Sequence, residues 1–230
     1  MPQRWKGGNV ASYFITATGT DIGKTFVTAG ILRAARAAGR DLRALKPVLS
    51  GYVPAAAAES DSGLLLAAMG QAVTQAGVAA ITPWRFAAPL SPDMAAAREG
   101  KSLDFAALVA FCEAAVAQAP AGLLLEGVGG VAVPLDGTKL VADWIAALRL
   151  PVVLVAGTYL GTLSHSLTAA QFLAARGIKI AALVLSESAS APVPAEETAA
   201  ALARFITVPI HRIPRGGNAS AFAALAQALF

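Results

Sequence analysis

One stretch near the amino terminus constrains the fold of this chain more than any other. It is Tyr13–Thr25, Tyr-Phe-Ile-Thr-Ala-Thr-Gly-Thr-Asp-Ile-Gly-Lys-Thr. An apolar run is followed by a loop of small residues, then by Gly-Lys-Thr and a helical pattern. A strand that turns through such a loop into a helix directs backbone N–H groups and the positive end of the helix dipole at a polyphosphate. The stretch therefore predicts a strand–loop–helix unit that binds a nucleoside triphosphate with a divalent cation.

The loop departs from the strict phosphate-loop pattern of Gly, four residues and Gly-Lys-Ser/Thr. Counting back from Gly23 puts Thr18 at the first glycine position, and Gly19 comes one residue later. The alternative is an ordinary strand–helix turn with a surface lysine, but the flanking strand and helix favour a phosphate loop. In such a loop we expect Lys24 to reach the β- and γ-phosphates and the Thr25 hydroxyl to bind Mg²⁺.

The rest of the chain alternates continuous apolar runs with helical patterns. Continuous apolar runs are typical of strands in a sheet that is covered on both faces. Strands are predicted at Tyr13–Thr16, Arg43–Val48, Leu123–Glu126, Val152–Ala156, Ile180–Leu185 and Val208–Ile210. Helices are predicted at Lys24–Ala38, Asp61–Met69, Leu103–Ala117, Lys139–Leu148, Thr162–Arg176, Ala195–Phe205 and Ala219–Phe230, with Ala55–Ala58 in a loop. The pattern predicts one α/β domain, residues 1–230, of the P-loop NTPase type. Its sheet is expected to be doubly wound and mostly parallel, with helices on both faces and ligands at the carboxyl ends of the strands.

Composition narrows the classes of protein to consider. The chain is 56% hydrophobic, but Gly, Gln, Thr, Ser and His interrupt its longest uncharged stretches, Ser62–Trp84 and Pro151–Ala175. We therefore expect short elements instead of membrane spans. Basic residues are scattered and the net charge is only +4, which favours a small anionic ligand over nucleic acid. The single cysteine, Cys112, excludes an intrachain disulfide, and Met1–Asn9 lacks the apolar centre of a signal peptide. Both features favour the cytoplasm.

Two further segments place charged residues at the ends of predicted strands. Lys46 opens the segment Lys-Pro-Val-Leu-Ser-Gly, and its alternative role is a solvated surface charge. Glu126 ends an apolar strand and precedes Gly-Val-Gly-Gly. Burying that carboxylate costs several kcal/mol unless a cation or hydrogen-bond donors offset the cost. In a P-loop sheet such an acid commonly faces Mg²⁺, and the alternative is a carboxylate that caps a backbone turn.

The segment Gly157–His165 lies between the predicted strand Val152–Ala156 and a predicted helix. It offers free backbone N–H groups and the positive end of a helix dipole, which suit a carboxylate or phosphate. The alternative role for Ser164 is a simple helix N-cap. His165 is expected to be a polar side chain in the first helical turn, and we do not assign it as a catalytic base.

Taken together and in this order, the segments resemble dethiobiotin synthetase, the ATP-dependent family that closes the ureido ring in biotin synthesis. The resemblance rests on the phosphate loop, Lys46–Gly51, Ser60-Asp61, Phe86–Pro92, Glu126–Gly130 and Gly157–His165. It implies 7,8-diaminononanoate (a diamine), CO₂ and ATP as substrates, Mg²⁺ as cofactor, and a homodimer with the diamine near the subunit interface. The chain has Ala17, Ser164 and Ser186-Glu187 where many members have Gly, Asn and Asn-Asp. Since a serine hydroxyl cannot reproduce the paired donor and acceptor of an asparagine amide, the nucleotide base preference stays open.

The resemblance also implies roles for individual residues. Catalytic roles fall on Lys24, Lys46, Thr20 and Ser50, and Mg²⁺ ligands on Thr25, Asp61 and Glu126. Nucleotide contacts fall on Gly19, Thr20, Asp21, Ile22, Gly23, Lys24, Thr25, Phe26, Glu126, Gly129, Ser186, Ile213 and Pro214. Diamine contacts fall on Lys46, Ser50, Gly157, Leu160, Gly161 and Ser164. Two other functions stay open. One is a related P-loop ligase that forms amides in cofactor biosynthesis, and the other is a P-loop switch ATPase that acts through a protein partner.

Overall fold

Strands and helices alternate along the chain in the computed structural model, which describes residues 12–230. The strands are β1 Tyr13–Ala17, β2 Arg43–Leu45, β3 Val48–Ser50, β4 Trp84–Phe86, β5 Leu123–Glu126, β6 Val152–Ala156, β7 Ile180–Ser186 and β8 Ile210–Ile213. The helices are α1 Lys24–Ala37, α2 Asp61–Ala68, α3 Gln75–Ile81, α4 Pro92–Arg98, α5 Phe105–Ala117, α6 Val141–Leu148, α7 Thr162–Ala174, α8 Ala195–Ala203 and α9 Ala219–Leu229. The prediction about a signal peptide concerns Met1–Asn9, which lies outside the described residues.

The central sheet has six parallel strands in the order β2-β5-β1-β6-β7-β8. β1 therefore lies inside the sheet, with β5 on one side and β6 on the other. Because all the strands run the same way, their carboxyl ends share one edge. The loop that follows β1, and the residues that end β2 and β5, meet there.

Helices cover both faces of this sheet. Ile15 of β1 is buried in one apolar core with side chains of α1, α2 and α9. Its neighbour Phe14 is buried in a second core with side chains of α5, α6, α7 and α8. In that second core the Phe14 and Trp144 rings meet edge to face, with centroids 4.8 Å apart. This two-sided burial explains the continuous apolar runs and confirms the predicted doubly wound parallel sheet.

The prediction of one continuous strand over Arg43–Val48 is wrong. The chain leaves the central sheet after Leu45, and β3 pairs instead with β4 in a separate two-stranded parallel sheet. Pro47 lies at the break and has no N–H group to donate to a ladder. Its carbonyl accepts from the Trp84 N–H, at 3.1 Å. The break leaves Lys46 at the carboxyl end of β2, at the shared sheet edge.

Other differences lie mainly between β3 and α4. The alanine run Ala55–Ala58 belongs to a 3₁₀ helix over Pro54–Glu59 and not to a loop, while α3, β4 and α4 had no predicted counterpart. β8 begins at Ile210 and not at Val208. Among the described residues, no helix has the length and apolarity needed to cross a membrane.

Candidate active site

The loop between β1 and α1 has the backbone of a tight phosphate-binding turn. Gly23 is the N-cap of α1 with φ of 103°, a left-handed conformation that favours glycine. A Cβ atom on Gly23 would also lie 2.7 Å from the Ser186 hydroxyl oxygen. Glycine therefore brings the loop close to the carboxyl end of β7. Lys24 Nζ donates to the carbonyl of Gly19 at 3.2 Å, folding the lysine back over the loop.

A cleft of about 690 Å³ opens beside this loop at the carboxyl edge of the sheet. Predicted site residues that line it are Thr20, Asp21, Gly23, Lys24, Thr25, Phe26, Lys46, Ser50, Asp61 and Gly129. The structure thus brings predicted site residues from four separate segments of the chain together in one cavity. Its size falls within the range of ordinary small-molecule sites.

Lys46 is the centre of a buried ionic network below this cleft. Its ammonium lies 2.9 Å from Glu126 Oε1 and 3.0 Å from Asp61 Oδ2, and it donates to the carbonyl of Gly127 at 2.7 Å. The Thr25 hydroxyl donates to the same Glu126 oxygen at 2.7 Å. Lys46 is 2% exposed and Glu126 is fully buried, whereas Asp61 is 37% exposed at the cleft. Lys46 is therefore not a solvated surface charge, and Glu126 binds side chains instead of capping a backbone turn.

The network shifts the protonation equilibria of its members. Burial alone would lower the pKa of Lys46, but the Glu126 and Asp61 carboxylates outweigh it and raise that pKa above its ordinary value. Burial would raise the pKa of Asp61, but Lys46 and other donors lower it overall. Burial, together with the nearby Lys46 charge, lowers the pKa of Lys24 to about 8. Lys46 and Asp61 are therefore charged at neutral pH.

Two buried oxygen atoms at the site have no hydrogen-bond partner within residues 12–230. They are Glu126 Oε2 and the Ser50 hydroxyl oxygen. A buried acceptor without a partner costs about 1–3 kcal/mol. Both atoms are therefore available to a ligand or an ion.

Not all of the predicted nucleotide contacts line the cleft. Ser186 and Ile213 are paired neighbours at the ends of β7 and β8, and Pro214 directly follows Ile213. The Ser186 hydroxyl lies close to Gly23, while Gly19 packs against Gly130. Ile22 packs on the apolar core beside α1. Ser186, Ile213 and Pro214 do not line the cleft that contains Lys46.

The predicted diamine-binding loop also lies outside this cleft. None of Gly157, Leu160, Gly161 and Ser164 lines it. Gly161 is the left-handed N-cap of α7, with φ of 96°, and the Leu160 side chain is 85% exposed. Within one chain, the structure does not bring this loop together with Lys46 and Ser50.

Comparisons with known proteins agree with this geometry. A family model described as an AAA domain matches residues 11–215. The ATP-dependent dethiobiotin synthetase of Acidiphilium cryptum is 56% identical over 198 residues, which cover 86% of this chain and 89% of that protein. The chain belongs to the dethiobiotin synthetase family. The enzymes of the same name from Methylobacterium nodulans and Phenylobacterium zucineum are 50% and 45% identical, covering 91% and 96% of this chain and 95% of each relative.

Solved structures of other proteins share the fold of this chain. The MinC:MinD cell division complex of Aquifex aeolicus matches with a TM-score of 0.59 at 11% identity, covering 96% of this chain and 95% of that one. The cell division ATPase MinD of Pyrococcus furiosus matches with a TM-score of 0.53 at 17% identity, covering 95% and 98%. At these identities the likeness concerns the fold alone.

Several cleft residues of this dethiobiotin synthetase family member were not predicted as site residues. They are Leu49, Gly51, Glu59, Ser60, Pro89, Leu90, Ser91, Pro92, Val128 and Val133. Most of them flank predicted residues, but Pro89–Pro92 come from a separate segment that leads into α4. The sequence carried a signal for it, since Ser91-Pro92 has the form of a helix start. The resemblance to the family includes this segment but implies no role for its residues.

Proposed function

We propose that the protein is an ATP-dependent dethiobiotin synthetase, which converts 7,8-diaminononanoate and CO₂ to dethiobiotin and releases ADP and phosphate. Relatives that share about half of its residues over most of its length have that name. The observation that carries the proposal is the position of Lys46. Its ammonium is buried between Glu126 and Asp61, beside the phosphate loop that contains Lys24. A switch ATPase has no need of this second lysine.

The reaction has to bring two anions into contact. In the proposed sequence, one amine attacks CO₂ and loses a proton, giving a carbamate. A carbamate oxygen then attacks the γ-phosphorus and ADP leaves. The second amine attacks the carbamate carbon, loses its proton and displaces phosphate as the ring closes. The carbamate and the triphosphate repel each other throughout the phosphoryl transfer.

Lys24 and Lys46 are proposed to offset this repulsion from two sides. Opposite charges about 4 Å apart gain about 4 kcal/mol at an effective dielectric constant near 20. Lys24 would hold the β- and γ-phosphates, while Lys46 and the Ser50 hydroxyl would hold the carbamate. Thr20, at the rim of the same cleft, would help to orient the reacting groups. The network around Lys46 keeps it charged, so no proton has to move before the anions bind.

The site also fits Mg²⁺. Thr25, Asp61 and Glu126 offer a hydroxyl and two carboxylates, the hard oxygen ligands that Mg²⁺ prefers, and Glu126 Oε2 has no other partner among the described residues. Two carboxylates suffice, because Mg²⁺ commonly takes its remaining ligands from substrate phosphates and water. When bound, the ion would neutralise charge on the triphosphate.

We further propose that the enzyme is a cytoplasmic homodimer in which each chain forms a single domain. The diamine-binding loop, Gly157–Ser164, does not line the cleft of its own chain, so a second copy would have to supply it. Exposed Leu160 and Leu163 within that loop support association. Sedimentation of the active enzyme as a monomer would contradict the dimer.

The function is tested by phosphate release from ATP, CTP and GTP, each with and without diaminononanoate and bicarbonate. The proposal expects release that requires both the diamine and bicarbonate, with dethiobiotin as the product. Release without the diamine would favour a switch ATPase, and release with another acid substrate would favour a related ligase. The three nucleotides report how far Ser186 relaxes the base preference.

A further inference from the structure

A three-residue segment after β7 contacts three other loops at the carboxyl edge of the sheet. We name Ser186, Glu187 and Ser188 the junction segment. The sequence predicts no role for Ser188 and predicts Ser186 only as a nucleotide contact. Each of its three residues contacts a different loop.

Ser188 pairs reciprocally with Thr158, which follows β6. The Thr158 N–H donates to the Ser188 hydroxyl and the Ser188 N–H donates to the Thr158 hydroxyl, both at 3.0 Å. Thr158 is fully buried, so its N–H has no water to replace the serine. A Cβ atom on Gly157 would lie 2.7 Å from the Ser188 oxygen, so glycine is required for this close approach.

The turn that contains Thr158 leads into α7 and is closed by its own hydrogen bonds. Thr162 at the beginning of that helix donates its hydroxyl to the carbonyl of Gly157 at 2.7 Å, and its N–H donates to the carbonyl of Tyr159 at 3.1 Å. Gly157–Thr162 is therefore a closed turn. Ser188 attaches this turn to the strand edge at Thr158, and Leu160 in the same turn is exposed.

The other two residues of the junction segment contact the nucleotide side of the site. Glu187 donates its N–H to the carbonyl of Ile213 at 3.0 Å and accepts from the Arg215 N–H at 2.8 Å. The Ser186 hydroxyl lies against Gly23 in the phosphate loop. Three consecutive residues thus connect the phosphate loop, the loop after β8 and the diamine-binding loop.

We propose that Ser188 is a positioning residue for the diamine, acting through Thr158, and that the junction segment fixes the diamine-binding loop to the sheet edge of its own chain. The proposal rests on the proposed function, which assigns Gly157–Ser164 to the carboxylate of the diamine. Backbone N–H groups at a helix start bind an anion well only while their directions are fixed. Loss of the Ser188 hydroxyl frees the Thr158 N–H and loosens that turn.

The test is Ser188→Ala, with Ser190→Ala as the matched control. Ser190 lies two residues along the same loop and is exposed. In Ser188→Ala we expect KM for diaminononanoate to rise roughly three- to tenfold, the effect of one lost hydrogen bond. KM for ATP and kcat should change by less than about twofold, and Ser190→Ala should match wild type. An unchanged KM for the diamine, or equal changes in all three constants, would overturn the proposal.

A second pair of variants separates positioning from general loss of stability. Thr158→Val removes the hydroxyl and keeps the shape, while Thr158→Ser keeps the hydroxyl. We expect Thr158→Val to raise KM for the diamine as Ser188→Ala does, and Thr158→Ser to stay near wild type. The double variant Ser188→Ala/Thr158→Val should be less impaired than the product of the two single effects. Independent, multiplicative effects would show that the two residues do not act together.

Hydrogen exchange gives a measure that does not depend on turnover. In Ser188→Ala, the peptide covering Gly157–Ser164 should exchange faster than in Ser190→Ala, and unchanged exchange would overturn the attachment. A wrong proposed function would give a different result, because the wild-type enzyme would then release no phosphate in response to the diamine. An active wild type with an unaltered KM in Ser188→Ala overturns only the positioning role.

Discussion

The Lys46 side chain is almost fully buried, yet it stays positively charged. It is stabilised by two carboxylates and one carbonyl within 3.0 Å. Burying such a group has a large desolvation cost, and removing one partner of a buried pair typically costs 3–5 kcal/mol because the other charge is left uncompensated. The arrangement therefore places a cation at a fixed point, ready for an anion, at some expense of stability.

Replacing Lys46 should separate nucleotide binding from turnover. In Lys46→Met we expect ATP affinity to stay within a few-fold of wild type, while turnover falls by about 10²–10³, the usual effect of losing one transition-state donor. The melting temperature should also fall, because Glu126 and Asp61 lose their shared partner. Calorimetry with ATP and steady-state kinetics below the melting temperature measure these effects. Lys101→Met, at a surface ion pair with a 59% exposed lysine, is the control. Near-normal turnover in Lys46→Met would remove Lys46 from the mechanism.

Glu126→Gln should change the response to Mg²⁺. The amide keeps the size of the side chain and removes the negative charge, so we expect half-maximal activity to require at least several-fold more Mg²⁺. A Mg²⁺ titration of activity at saturating ATP measures the shift. Glu113→Gln, an exposed carboxylate on α5, serves as the control. A titration curve that coincides with wild type would argue against a metal role for Glu126.

At the scale of elements, Asp61 depends on how α2 packs against the 3₁₀ helix before it. The Ser60 hydroxyl caps α2 by accepting from the Gly63 N–H at 3.1 Å, and Asp61 is the first helical residue. The 3₁₀ helix approaches α2 so closely that a Cβ atom on Gly63 would lie 2.1 Å from the carbonyl oxygen of Ala57. The atoms nearest to that position belong to the backbone of Ala57 and Ala58, so no flexible side chain can move aside to make room. The contact therefore sets where α2 begins and where Asp61 lies.

Gly63→Ala should consequently disturb the site from a distance. Overpacking of this kind usually costs about 1–3 kcal/mol of unfolding free energy, and a shift of α2 should weaken the contact between Asp61 and Lys46. We expect a lower melting temperature together with reduced turnover, measured by thermal denaturation and phosphate release. Gly137→Ala is the matched control, because nothing lies within 4 Å of its Cβ position. Unchanged stability in Gly63→Ala would show that the two elements can move apart freely.

At the scale of the whole molecule, the central sheet has an apolar core on each face, and helices cover both cores. Cys112 of α5 is fully buried in the core that contains Phe14 and Trp144. Burial raises the pKa of its thiol to about 12. As the single cysteine of the chain, it reports on the opening of this core.

Alkylation of Cys112 should therefore follow unfolding. At pH 8 the raised pKa keeps the thiol protonated and unreactive, and burial also excludes the reagent. We expect negligible labelling by iodoacetamide in the native protein and complete labelling in denaturant, measured by mass spectrometry. Added ATP should shift the denaturant midpoint upward, because a ligand that binds only the folded state stabilises it. Rapid labelling of the native protein would contradict the packing of α5.

Much of the fold could be predicted because its signals are local. The run before Gly19 is apolar because both faces of β1 are buried, and Gly23 is glycine because the turn into α1 needs a left-handed residue. The region between β3 and α4 was harder to predict, because its helices and strand are short and contain few periodic positions. The break at Lys46-Pro47 had a local signal in Pro47, but the partner strand β4 lies far along the chain.

The sequence by itself determined the phosphate loop, the parallel α/β layering and the residue types that could bind anions or a metal, since these depend on neighbouring residues and on periodicity. Only the tertiary structure decided that Lys46 lies between Glu126 and Asp61, that Gly157–Ser164 stays outside the cleft of its own chain, and that Ser188 pairs with Thr158. The physical reason is that each of these contacts joins segments that are distant in sequence. The strand order and helix packing bring them together, and no local pattern records which partner a buried charge or hydroxyl will meet.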